Sequence, residues 1–239
     1  MPETLDDFLM TRPPTAERPL LGQTILVVED SRFACEALRM ICQRSGARIR
    51  RADSLRSANR HLRTYRPGII LIDVGLPDGS GLELVAQLTQ PDAPKPLVIA
   101  MSGDDTLAEE ALAAGARAFI AKPINSISAF QTAILAELPK DARPIAVRPA
   151  QADEVIPDRI ALRDDLSLAA DLMRDETDSG TMAYLGQFLL GVAKSADDIR
   201  LLDAARALTD SLLAASDIGP ALTRLRLLVD ERLAGEQPV

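Results

Sequence analysis

The chain has 239 residues, 47% hydrophobic and 26% charged, with aromatics at 3% and no Trp. That suits one large or two small globular domains with a core built mainly from Leu, Ile, Val and Ala. The net charge is −8, and residues 1–139 carry 15 Lys and Arg against 17 Asp and Glu while residues 140–239 carry 12 against 18, a balance that argues against nucleic acid as a partner of the C-terminal part.

Residues 1–22 read as a flexible arm, because Pro13, Pro14 and Pro19 oppose a continuous helix, with one short helical turn expected over Thr4–Met10. The acidic, Pro-containing start has no apolar core of the kind a signal peptide needs. Nor does any stretch reach the roughly 18 to 20 consecutive apolar residues of a membrane span. A cytoplasmic protein is the expectation.

From Thr24 onward, short apolar runs alternate with helical periodicity. Strands are predicted over Thr24–Val28, Ala47–Arg51, Gly68–Ile72, Leu97–Met101 and Ala116–Ala121. Helices are predicted over Arg32–Arg44, Ser54–Tyr65, Gly81–Leu88, Asp104–Ala114 and Ser126–Leu138. Continuously apolar strands imply burial on both faces, hence a parallel sheet with helices on each side. Cys35 and Cys42 fall on one face of the first helix, roughly 10 Å apart by helical rise, too far for a disulfide within that helix. They read as small buried apolar residues.

Ligand sites in such sheets lie beyond the carboxyl ends of the strands. Those ends carry Glu29 and Asp30, then Asp73, Ser102 and Lys122. Three acids, a hydroxyl and an amine therefore converge on one rim. Crowded carboxylates raise one another's pKa values, and a hard divalent cation relieves the repulsion.

Four segments carry a family resemblance: Ile25-Leu-Val-Val-Glu-Asp-Ser31, Ile72-Asp-Val-Gly-Leu-Pro-Asp-Gly-Ser-Gly81, Ala100-Met-Ser-Gly103 and Phe119-Ile-Ala-Lys-Pro123. Over residues 23–139 the chain resembles the receiver domain of two-component response regulators. The resemblance implies a flavodoxin-like (βα)5 doubly wound parallel sheet. It also implies a phosphoryl acceptor at Asp73 and Mg²⁺ held by Glu29, Asp30, Asp73 and the Gly75 backbone carbonyl. It gives Lys122 the neutralisation of phosphoryl charge, followed by a cis bond to Pro123, and makes Ser102 and Phe119 the switch pair. The partner it implies is a sensor histidine kinase or a histidine phosphotransfer protein. Because Gly75 and Gly103 flank the rim without side chains, water is expected to reach the site easily and to shorten the life of an aspartyl phosphate.

Residues 140–157, preceded by Pro139 and punctuated by Pro144, Pro149 and Pro157, read as an extended, partly mobile linker. Residues 158–235 read as a small all-α bundle, with helices over Ile160–Arg174, Met182–Lys194, Ile199–Ala214 and Ala221–Leu233 and a cap at Ser179. No phosphate loop, metal-ligand helix pair or nucleophile elbow occurs there. Gln187-Phe-Leu-Leu-Gly-Val-Ala-Lys-Ser195 bears a faint resemblance to the active helix of histidine phosphotransfer domains, with Gln187 at the place of the histidine and Leu190 at that of the lysine. The only histidine of the chain is His61, so a bundle of that kind would be degenerate, binding without transferring. The expected output is contact with a downstream protein or self-association through the bundle. The alternatives are a divergent DNA-binding output and a phosphate sink.

Overall fold

The computed structural model describes residues 13–90, 96–148, 152–174 and 178–235. Strands β1 (Thr24–Val28), β2 (Arg48–Ala52), β3 (Ile69–Asp73), β6 (Leu97–Ser102) and β7 (Ala118–Ala121) form a parallel sheet in the order β2-β1-β3-β6-β7. Helices α1 (Arg32–Ser45), α2 (Leu55–Thr64), α3 (Gly81–Leu88), α4 (Ala108–Ala113) and α5 (Ile127–Glu137) connect and cover it. This is the doubly wound, flavodoxin-like architecture expected. Alternate residues of the central strands divide between two cores. Ile25, Val27, Ile69, Leu71, Ile99 and Met101 pack under α1 and α5, against Leu38, Ile41, Phe130 and Ile134. Leu26, Val28, Ile70, Ile72, Val98 and Ala100 pack under α2, α3 and α4, against Ala58, Leu84, Val85 and Ala111. Burial of each such Leu, Ile or Val contributes about 1.5–3 kcal/mol, which fixes which strands are central and so which carboxyl ends meet.

Two local features position the rim. Ser31 caps α1, its hydroxyl accepting from the Ala34 N–H, so the chain turns sharply just after Glu29 and Asp30. Beyond β3, a two-residue hairpin pairs β4 (Gly75–Leu76) with β5 (Gly79–Ser80) and leads straight into α3. A Cβ on Gly81 would lie 1.9 Å from the Asp73 carbonyl oxygen, so only glycine lets α3 begin against the end of β3. The hairpin was too short to show a strand pattern in the sequence. The helix expected over Asp104–Ala114 divides into a 3-10 turn at Asp105–Leu107 and the shorter α4. Cys35 and Cys42 are buried and unpaired.

The arm differs from expectation. The turn expected over Thr4–Met10 lies outside the described residues, but residues 13–22 are docked rather than flexible. Leu20 is fully buried in the α1–α5 core, its N–H bonds to the Ser45 carbonyl at 2.9 Å, and the segment follows turns in which the Leu21 and Gln23 N–H groups donate to the Arg18 and Leu20 carbonyls. Part of the linker is docked as well. Val155 is 2% exposed in the same core, and Ile127 N–H donates to the Asp153 carbonyl at 2.8 Å. A single apolar side chain among polar ones carries no periodicity, so neither anchor was visible in the pattern.

Helices α6 (Arg159–Arg174), α7 (Ser179–Ser195), α8 (Ile199–Leu213) and α9 (Gly219–Gly235) form the bundle, with Leu166, Leu185, Leu189, Leu208, Leu225 and Val229 in its core. The cap of α7 is Asp178, which accepts from the N–H groups of Gly180 and Thr181, and Ser179 is already helical. A carboxylate at this position bonds the first turn and also meets the positive end of the helix dipole. Among the described residues no helix is long and apolar enough to cross a membrane.

Candidate functional site: an acidic rim covered by the bundle

Glu29 and Asp30 follow the end of β1, Asp73 ends β3, Ser102 ends β6 and Lys122 follows β7, so the sheet order brings all five to one rim. Glu29, Asp30 and Asp73 each offer a carboxylate oxygen, and these oxygens lie within 4.8 Å of one another. The Lys122 ammonium sits between two of the carboxylates, 2.6 Å from Glu29 Oε2 and 2.8 Å from Asp73 Oδ2. The side-chain exposures are 5% for Lys122, 0% for Glu29 and 10% for Asp73, so these charges meet one another and hardly any solvent. Gly75 N–H points to Asp73 Oδ1 at 3.4 Å. Ser102 is buried and its hydroxyl accepts from the Asp104 N–H at 3.0 Å. The Lys122–Pro123 peptide is cis.

Burial raises the pKa of Glu29, against the pull of Lys122, and the charges of Asp73 and Asp30 raise it further. Asp30 is pushed up to about 7 by burial and by Asp73. For Lys122 burial acts downward, but Asp73 and Glu29 outweigh it and hold the ammonium above the ordinary lysine range. The rim thus concentrates negative charge that one lysine only partly offsets. A set of three hard oxygen donors with excess negative charge fits Mg²⁺.

Phe119 stands apart from this group. It is half-buried on β7 beside Ala100 and packs against the α2–α4 core rather than lining the acid cavity.

Sequence reasoning missed that the bundle lies on this rim. The cavity bounded by Glu29, Asp30, Ser31, Asp73, Gly75, Ser102, Gly103 and Lys122 is closed from the other side by Gln187, Phe188 and Gly191 of α7. Tyr184, one turn earlier, donates its hydroxyl to Asp30 Oδ2, and burial together with the Asp30 charge raises the phenol's pKa. From α6, Asp165 caps α1 across the seam. Its carboxylate accepts from Ser31 Oγ at 2.7 Å, Arg32 N–H at 2.8 Å and Phe33 N–H at 3.0 Å. Lys194 pairs with Asp105 at 3.1 Å and Arg32 with Asp164 at 2.5 Å at the edges.

This overturns the expectation of easy water access. Gly75 and Gly103 do lack side chains, but helix α7 takes the space. A Cβ on Gly103 would lie 3.1 Å from the Gly191 Cα, and one on Gly75 would lie 3.4 Å from the Gln187 Cβ. The missed signal was glycine inside a helix. Gly186 and Gly191 each cost about 1 kcal/mol relative to Ala, and both sit where α7 is approached closely: Gly186 by Thr209, and Gly191 by the receiver-side Lys122 and Gly103.

A parallel five-stranded sheet with an acid triad and a lysine at its carboxyl rim defines the class to which the first half of the molecule belongs. Residues 25–134 match the response regulator receiver domain family, and this part of the chain is a receiver domain of the two-component type. Among curated relatives, the chain is 32% identical over 101 residues to the KDP operon transcriptional regulatory protein KdpE of Escherichia coli (strain K12), covering 42% of this chain and 45% of that protein. It is 30% identical over 102 residues to the virulence transcriptional regulatory protein PhoP of Salmonella typhimurium (strain 14028s / SGSC 2262), covering 42% and 46%. The chain therefore spans less than half the length of the curated relatives it matches. A solved structure described as a putative response regulator from Chloroflexus aurantiacus J-10-fl is 27% identical with a TM-score of 0.44, covering 48% of this chain and 98% of that one.

Proposed function

We propose that the chain is a phosphoryl-accepting response regulator: a receiver over residues 23–139, joined through residues 140–157 to a helical output bundle over residues 158–235. The observation that carries this reading is the convergence of the Glu29, Asp30 and Asp73 carboxylates within 4.8 Å, with Lys122 bridging two of them. Asp73 is the nucleophile. One of its oxygens attacks the phosphorus of a phosphohistidine on a sensor kinase or a histidine phosphotransfer protein. The P–O bond forms as the P–N bond breaks, and the imidazole leaves with the electron pair and takes up a proton.

Glu29, Asp30, Asp73 and the Gly75 carbonyl would hold Mg²⁺, which when bound would supply positive charge to the phosphoryl oxygens. Lys122 adds a second cation at the same oxygens and is held in place by Glu29. Ser102 accepts the Asp104 N–H and keeps its own proton for a phosphoryl oxygen. That new bond draws in the loop after β6, and Phe119 follows by repacking on its neighbouring strand. The modification adds about −1.5 to −2 charges and so shifts a population between two packings. The output is contact of the bundle with a downstream protein or with a second copy.

Acetyl phosphate with Mg²⁺ is expected to phosphorylate the wild-type chain, and neither the Asp73→Asn variant nor the chelated protein. Intact-mass spectrometry reads the added phosphoryl group. Equal labelling of wild type and Asp73→Asn overturns the assignment.

A further inference from the structure

The geometry points to an autoinhibited molecule, in which the C-terminal bundle recognises the acid rim of its own receiver and keeps phosphodonors out until it is displaced. The inference rests on the assignment of Asp73 as phosphoryl acceptor.

The first argument is space. The cavity between the rim and α7 is about 10 Å³, room for roughly one water molecule. An in-line transfer needs the phosphoryl group and its leaving group on the far side of the Asp73 carboxylate. Gln187, Phe188 and Gly191 take that side, so neither a phosphohistidine nor a free acyl phosphate enters the closed form.

The second argument is specificity. The bundle does not merely lie near the site but bonds to its parts. Tyr184 satisfies Asp30, one of the three acids that would hold the metal. Asp165, 2% exposed, satisfies three donors at the start of α1, immediately after Asp30. Removing the bundle would leave those buried donors to water. The contact over the loop after β6 is glycine on glycine, Gly103 against Gly191, with Lys122 beside it, and a Cβ on Gly103 would crowd the Gly191 backbone at 3.1 Å.

The third argument is chemistry. The polar side chain that α7 brings to the cavity, beside Phe188, is the amide of Gln187. It can accept and donate hydrogen bonds but cannot carry a phosphoryl group to Asp73. The bundle therefore blocks without donating.

Closed and phosphorylated states exclude each other, because a phosphoryl group needs the volume α7 occupies. By linkage, the phosphoryl group expels the bundle, and any partner that binds the freed α7 face around Tyr184, Gln187 and Leu190 raises the extent of phosphorylation by the same factor.

The test uses the full chain and two seam variants that replace none of the acceptor groups: Asp165→Ala, which removes the cap across the seam, and Gly191→Gln, which inserts a side chain against Lys122 and Gly103. Two readouts are taken, amide hydrogen exchange at residues 73–75 and 102–104, and the initial rate of labelling by acetyl phosphate with Mg²⁺. Both variants are expected to exchange faster at the rim and to label at least about tenfold faster than wild type, a release of about 1.4 kcal/mol of closure. Gly191→Gln serves if loss of the α1 cap unfolds Asp165→Ala. Wild type exchanging at the rim as fast as the variants overturns the closed arrangement. Faster exchange with an unchanged labelling rate overturns the block on donors. Faster exchange with no labelling of any protein overturns instead the assignment of Asp73 as acceptor, and with it the regulatory role.

Discussion

Replacing Lys122 by Met keeps most of the side-chain volume and removes the one ammonium lodged between Glu29 and Asp73. In the present arrangement it makes ion pairs of 2.6 and 2.8 Å, with all three side chains at most 10% exposed. Solvent screening therefore offers little relief. Breaking a buried pair by deleting one partner costs about 3–5 kcal/mol, because the remaining charge is left uncompensated. Here two carboxylates lose their counterion, and Asp30 already stands beside them. That loss is a large part of the roughly 5–15 kcal/mol that stabilises a typical domain. A divalent cation supplies the same neutralisation, and a ligand at 100 times its Kd adds about 2.7 kcal/mol to the folded state. Urea unfolding of Lys122→Met and wild type is then compared with EDTA and with saturating MgCl2. The expected result is a loss of about 3–5 kcal/mol in EDTA that shrinks markedly in Mg²⁺. A loss under about 1 kcal/mol in EDTA, smaller than the cost of breaking even a modest buried pair, refutes the view of Lys122 as the counterion of the metal-free rim. An equal loss in both buffers refutes the coupling of lysine and metal.

Two further outcomes test the docked segments and the bundle. Leu20→Ala is expected to destabilise the receiver by about 2–5 kcal/mol in urea unfolding, as for other fully buried leucines, whereas a flexible arm would leave stability unchanged. Asp198 caps α8, accepting from Leu201 N–H at 3.0 Å, and pairs with Arg232. Asp198→Ala is expected to cost about 1 kcal/mol at neutral pH, the usual worth of a cap. The Arg232 hydrogen bond, ahead of the opposing effect of burial, lowers the Asp198 pKa in the folded state. The pair's contribution is then complete above the unfolded value near pH 3.9 and is lost as pH falls through the lower folded value. The stability gap between wild type and Asp198→Ala, followed by thermal unfolding from pH 7 to pH 2, should narrow only below about pH 4.

The sequence by itself determined the receiver half almost completely. The continuously apolar runs of β1, β3 and β6 could be central strands only of a parallel sheet, and the rule that ligands sit at carboxyl ends then picked out Glu29, Asp30, Asp73, Ser102 and Lys122 before any coordinates. Those signals are local: each strand announces itself within a handful of residues, and each site residue is the next one along. Helices of the bundle were legible for the same reason, through their apolar spacing. The docking of Leu20 and Val155 was decided elsewhere, because one buried side chain in a polar stretch leaves no period to read. The seating of α7 on the acid rim was decided only in the tertiary structure. Tyr184, Gln187 and Gly191 reach the site from more than sixty residues beyond Lys122, and Asp165 reaches Ser31 across 134 positions. Hydrogen bonding and shape fit between two surfaces depend on how two independently patterned domains pack, and neither pattern encodes the other. The glycines were the one trace of it: in the chain they resembled an opening to water, and in the folded molecule they are where one backbone lies against another.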